Sequence, residues 1–171
     1  MGVRVLTQNA LLTALVAVAT LTIRIPMPAT QGYLNLGDAG IFVAALVFGP
    51  RTGLIAGGVG SALADLLGGY PHWAPFTLVI KGLEGFAVGM AFEWARSHQG
   101  RVIWAILCSN LGGFLMVAGY FITETFMYGW QPALTALSGN MMQALGSLAV
   151  GVPVALSLIR VGLGDDPAAQ K

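Results

Sequence analysis

Lys81 and Glu84 stand three residues apart in an otherwise apolar run, which puts an ammonium and a carboxylate on one face of a helix, one turn from each other. Tyr120, Glu124 and Tyr128 recur at i, i+4 and i+8, and Asn140, Gln143 and Ser147 at i, i+3 and i+7, so each set makes a polar stripe along its own helix. Tyr70, His72 and Trp73 crowd a short segment between Gly69 and Pro75. A carboxylate and two amides offer acceptors and donors, and the aromatic rings offer flat contact area. Together they are suited to holding a small, flat, polar heteroaromatic ring rather than to breaking bonds in it.

Reaction chemistry lacks its parts. The sequence contains no Gly-x-Ser-x-Gly elbow, no His-Glu-x-x-His and no Gly-x-x-x-x-Gly-Lys phosphate loop, so neither an enzyme nor an ATP-hydrolysing chain is expected. Cys108 is the single cysteine, and His72 and His98 are the two histidines, so no metal-ligand cluster is expected. The cationic residues Arg4, Arg24, Arg51, Lys81, Arg96, Arg101, Arg160 and Lys171 are scattered singly, which gives no patch for nucleic acid.

The elements that must position these groups follow from composition. Of 171 residues, 56% are hydrophobic and 9% charged, too little polar surface for a soluble globule. Mean hydropathy is +0.77. Each span needs about 20 mostly apolar residues. Apolar runs between Gly, Pro and charge breaks place six spans near 5–25, 36–49, 52–68, 75–95, 102–126 and 134–160. The expected fold is all-α, one six-helix membrane domain over 1–171. The basic, apolar start up to Ala29 also fits a signal peptide, but the length of its apolar run favours a retained helix.

With both termini cytoplasmic, Arg4, Arg51, Arg96, Arg101, Arg160 and Lys171 fall inside, against Arg24 alone near an outer end. The outer connections are then 26–35, 69–74 and 127–133, nearly free of charge and rich in aromatics. His72 and Trp73 are expected to belong to a loop that closes over a ligand. Trp130 fits an interfacial belt equally well. Lys81 lies about 9 Å below the outer start of the fourth span at 1.5 Å per residue.

Intramembrane charges require partners. Lys81 has two structural candidates, Glu84 and Asp65, beside a role in ligand contact, and Glu84 shares that ambiguity. Glu124 has no Lys or Arg nearby, so a ligand donor is its natural complement. Asn140 and Gln143 would serve as interhelical hydrogen-bond partners anywhere in a bundle, but their spacing beside Glu124 points to binding. Asn35 and Asp38 have a capping-box-like spacing at the start of the second span and are expected to satisfy its first N–H groups. Gly53 with Gly57, and Gly85 with Gly89, are spaced for close helix packing. Ala10 and Ala14 make a smooth face on the first span, free to pack inside the bundle or to dock another subunit.

Taken as a set, the Ala10–Ala14 pair, Tyr33-Leu-Asn-Leu-Gly-Asp38, Phe48-Gly-Pro-Arg51, Ala64-Asp65, Lys81-Gly-Leu-Glu-Gly85, Tyr120-Phe-Ile-Thr-Glu124 and Gly139-Asn-Met-Met-Gln143 resemble the substrate-binding S component of an energy-coupling factor (ECF) vitamin transporter. The resemblance runs nearly the length of the chain and is strongest to the branch for riboflavin and for the hydroxymethylpyrimidine precursor of thiamine. It implies a binder in the prokaryotic plasma membrane that takes a vitamin from outside with its first and third loops and its fourth to sixth spans. It also implies partners: a transmembrane coupling subunit, docked on Ala10 and Ala14, and two cytoplasmic ATPases that use the ATP, with no cofactor in this chain. On that basis the expected ligand is the pyrimidine first, then riboflavin or a pyridoxine-like compound, contacted by Trp73, Tyr120, Glu124, Asn140 and Gln143, with His72, Lys81 and Glu84 as further candidates. A self-contained channel or ion-coupled carrier, with Asp65, Lys81, Glu84 and Glu124 as its pathway, is the competing expectation.

Overall fold

Glycine and proline punctuation divides the chain much as the hydropathy does. The computed structural model describes residues 2–163, so Lys171 lies outside the described residues. Its elements are α1 (Val3–Thr22), β1 (Arg24–Met27), β2 (Gly32–Asn35), α2 (Gly37–Phe48), α3 (Pro50–Gly68), α4 (Ala74–Ala95), α5 (Arg101–Tyr128) and α6 (Trp130–Arg160). The six helices fall on the six predicted spans. Four of them, α1, α4, α5 and α6, are long and apolar enough to cross a membrane. α2 is too short at 12 residues. α3 carries many glycines and small polar residues and is not apolar enough by composition.

α2 is the axis of the bundle. Every residue from Gly37 to Val47 is buried, as an all-round apolar helix requires. It packs against α1, α3, α4 and α6. Phe42, Leu46, Val88, Phe92, Val152 and Ile159 form the apolar core away from the hairpin. The outward faces are apolar as well: Leu67, Trp94, Phe114, Phe126 and Met142 are all more than 60% exposed, a surface suited to hydrocarbon rather than water.

α3 and α4 make the closest helix pair. A methyl group added at Gly57 would come 2.5 Å from the Lys81 carbonyl oxygen, and one at Gly89 would come 2.5 Å from Pro50 Cα. The spaced glycines read from the sequence therefore face the opposing backbone, as small residues do where helices nearly touch.

Two connections differ from expectation. Residues 26–35 are not an irregular loop: β1 and β2 pair antiparallel, with Ile25 opposite Leu34 and Pro26 opposite Tyr33. Between α5 and α6 the expected seven-residue connection shrinks to Gly129 alone. Its φ of 92° lets the chain reverse in one residue. Pro132 then falls in the first turn of α6, where a missing N–H costs no hydrogen bond.

Candidate functional site

At the hairpin end, five of the helices and the hairpin converge on one cavity. Thr20 of α1, Tyr33 and Asn35 of β2, Ser61 and Asp65 of α3, Thr77 and Lys81 of α4, Tyr120 and Glu124 of α5, and Asn140 and Gln143 of α6 line it, with Trp73 above. Its volume is about 30 Å³, room for about one water.

Lys81 lies at the bottom. Its Nζ donates to Asp38 Oδ1 and stands 3.2 Å from Glu84 Oε2. All three side chains are at most 2% exposed. Gln143 ties this cluster to the hairpin: Nε2 donates to Asp38 Oδ2 at 2.9 Å, and Oε1 accepts the Asn35 backbone N–H at 2.9 Å. Using both ends of the amide fixes its orientation. Lys81 Nζ also stands 5.5 Å from the centre of the Tyr120 ring.

Of the two structural partners open to Lys81, Glu84 stands beside it and Asp65 does not. Asp65 instead accepts a hydrogen bond from the Tyr33 hydroxyl at 2.7 Å, and its Oδ2 has no hydrogen-bond partner. Burial, with Asp65 beside it, raises the Tyr33 phenol well above its ordinary pKa, so it donates as a neutral phenol. Asp38 is not a cap either. The side chain that accepts at the start of α2 is Asn35, whose Oδ1 takes the Gly37 N–H at 2.8 Å, while Asp38 turns inward to Lys81.

Glu124 is 1% exposed, and Asn140 Nδ2 reaches its two oxygens at 3.3 and 3.4 Å. One shared amide donor leaves acceptor capacity unused. The Tyr120 hydroxyl donates to Thr77 Oγ1 at 3.2 Å. Trp73, 4% exposed, packs edge-on to Tyr120 at 5.8 Å between centroids and lies 6.0 Å from Tyr128. Its Nε1 is buried with no hydrogen-bond partner. The roof continues through Tyr33 and Tyr70, whose rings are 4.7 Å apart.

Six of the eight side chains nominated from the sequence for ligand contact therefore share one cavity: Trp73, Lys81, Tyr120, Glu124, Asn140 and Gln143. Two do not line it. His72 is exposed, its ring 6.1 Å from Trp73, and Glu84 lies on the far side of Lys81. Ala10 and Ala14 are both exposed on α1, so their smooth face is not used inside the bundle.

Comparison with known proteins adds lineage to this geometry. Residues 1–160 match the family described as ECF-type riboflavin transporter, S component. The chain belongs to the ECF-type S components. This S component is 32% identical over 95% of its length to the thiamine precursor transporter HmpT of Lactococcus lactis, covering 92% of that protein. It is 47% identical over 80% of its length to an uncharacterized Pyrococcus woesei protein, covering 88% of it. Its fold is that of the biotin S component of an ECF-type ABC transporter, with a TM-score of 0.72 at 19% identity, over 99% of this chain and 96% of the other. S components are multi-pass membrane proteins of vitamin transport and not enzymes.

Several residues of this S component's cavity escaped sequence reasoning. Tyr33, Asn35, Asp65 and Thr77 line it without having been nominated for vitamin contact, and Asp38 supports it from below. One signal was present. Asp38, Asp65, Glu84 and Glu124 are four carboxylates in the middle or the hairpin-end half of their spans, with Arg24 and Lys81 as the cations there, and such an excess marks a shared polar site.

Proposed function

We propose that this S component captures the hydroxymethylpyrimidine precursor of thiamine, or a flat heterocycle like it, from outside the cell. In this reading all six helices cross or enter the bilayer with both termini cytoplasmic, so the hairpin and Trp73 face outward. The observation that carries the reading is the cavity itself, where aromatic rings surround buried polar atoms that lack partners: Asp65 Oδ2 and Trp73 Nε1. Buried polar atoms are normally satisfied, and a bound heterocycle with donors and acceptors on its edge would satisfy these. The similarity to a thiamine precursor transporter supports the pyrimidine over riboflavin.

Drug-sized ligands occupy pockets of about 300–1,000 Å³, so entry requires the hairpin and the 69–73 segment to move outward. Trp73 and Tyr120 would then enclose the ring, with Glu124, Asn140 and Gln143 bonding its edge. Lys81 reads mainly as the counter-ion of Asp38 and Glu84, and His72 as an outer-surface residue.

The test is titration of purified, detergent-solubilised protein with water-soluble vitamins and precursors, read by quenching of its four tryptophans. Submicromolar binding of the pyrimidine, about −8 kcal/mol or tighter, is expected. Trp73→Ala should weaken it about 30-fold and Glu124→Gln about 10-fold with the protein still folded. Unchanged affinity in both removes the proposed site.

Delivery is proposed to follow association with a transmembrane coupling subunit and two cytoplasmic ATPases, with the exposed Ala10–Ala14 face of α1 as the contact. Ala10→Trp with Ala14→Trp should abolish co-purification with the coupling subunit and leave ligand affinity unchanged. Intact complex formation by the double variant would reassign that face to lipid.

A further inference from the structure

The hydrogen bonds around the cavity are unevenly spent. Among the described residues Lys81 is the one cationic side chain that lines it, and Asp38 and Glu84 already engage its ammonium. Arg24, at the hairpin, does not line it and donates to the Gly68 carbonyl at 3.2 Å. The donors are committed as well: Asn140 Nδ2 to Glu124, Gln143 Nε2 to Asp38, the Tyr33 hydroxyl to Asp65 and the Tyr120 hydroxyl to Thr77. Trp73 Nε1 remains. On the acceptor side, Asp65 Oδ2 has no partner and Glu124 has only the shared amide of Asn140. Four carboxylates, each at most 4% exposed, thus lie in or beneath a cavity whose one ammonium is already engaged by two of them.

A phosphate or carboxylate entering this space would lose its hydration and meet no unspent positive charge to offset that loss. Protonation of any of the four carboxylates would remove negative charge without adding positive charge. We propose that the cavity discriminates by charge: it accepts a neutral or cationic heterocycle carrying N–H or O–H donors and rejects the phosphate ester or carboxylate of the same ring, with Asp65 and Glu124 as the discriminating groups. This deepens the capture reading and rests on it.

The test uses matched pairs: hydroxymethylpyrimidine with its monophosphate, riboflavin with its 5′-phosphate, and a pyridine carboxylate with its carboxamide. Whichever ring binds, its anionic member is expected to be at least about 100-fold weaker, and the carboxamide comparison separates charge from bulk. Asp65→Asn and Glu124→Gln should each narrow the gap about 10-fold. Should either variant fail to fold, the wild-type carboxylate and carboxamide decide the question alone. An anion within about threefold of its neutral partner overturns the charge filter and leaves the capture reading standing. An unchanged gap in both folded variants assigns rejection to size and also overturns it. Failure of every compound to bind folded protein overturns the capture reading, and the filter with it.

Discussion

Lys81→Met is expected to destabilise the protein by about 3–5 kcal/mol, the usual cost of removing one member of a buried ion pair. The substitution nearly preserves side-chain volume but leaves Asp38 and Glu84, both fully buried, facing each other without the ammonium between them. Asp38 would retain the Gln143 amide, whereas neither Glu84 oxygen has any other hydrogen-bond partner. Thermal unfolding in detergent reads the loss directly. Combining Lys81→Met with Asp38→Asn and Glu84→Gln should recover most of it, because no unpaired charge then remains. A single variant that melts within about 1 kcal/mol of wild type would mean that the cluster does not hold the fold together.

Gly85→Leu is expected to cost about 3 kcal/mol, through backbone geometry alone. A Cβ at Gly85 would be driven into the Gly53 carbonyl group, 2.6 Å from its carbon, and no flexible side chain is there to yield. α3 and α4 would have to separate, and those two helices carry Asp65 on one side and Thr77 and Lys81 on the other. Ligand affinity should therefore fall with stability. Gly146→Leu is the control, since nothing lies within 4 Å of a Cβ at Gly146. Equal melting temperatures for the two variants would show that the glycine contact is not a constraint.

The helices were legible because length and apolarity are local properties. The Lys81 partner was not. Glu84 lies within one turn and is visible as an i, i+3 pair, whereas Asp38 is 43 residues away and its position next to Asn35 imitates a cap. Only the packing of α2 against α4 and α6 turns that carboxylate inward. The hairpin escaped for a related reason. Its strands are four residues each, one contains Pro26, and the turn between them uses Gln31 at a φ of 50°, so neither alternation nor a glycine turn announces it. The stripes on α5 and α6 were legible because helical spacing alone puts Glu124 and Asn140 on defined faces, and the structure brings those two side chains within 3.3 Å of each other. Whether those faces met depended on Gly129, whose single-residue reversal sets the two helices antiparallel in register.

Leu36 alone separates β2 from α2, and the Asn35 N–H is held by the same Gln143 that holds Asp38. The hairpin is thus hinged onto the central axis of the bundle rather than suspended over it. In the proposed capture, lifting it to admit a molecule would disturb the first turn of α2 and the Gln143 bridge together, which makes one amide the catch of the latch. Amide exchange at Asn35 should accordingly report how often the latch opens, and Gln143→Leu should quicken that exchange while leaving the far ends of the helices as protected as before.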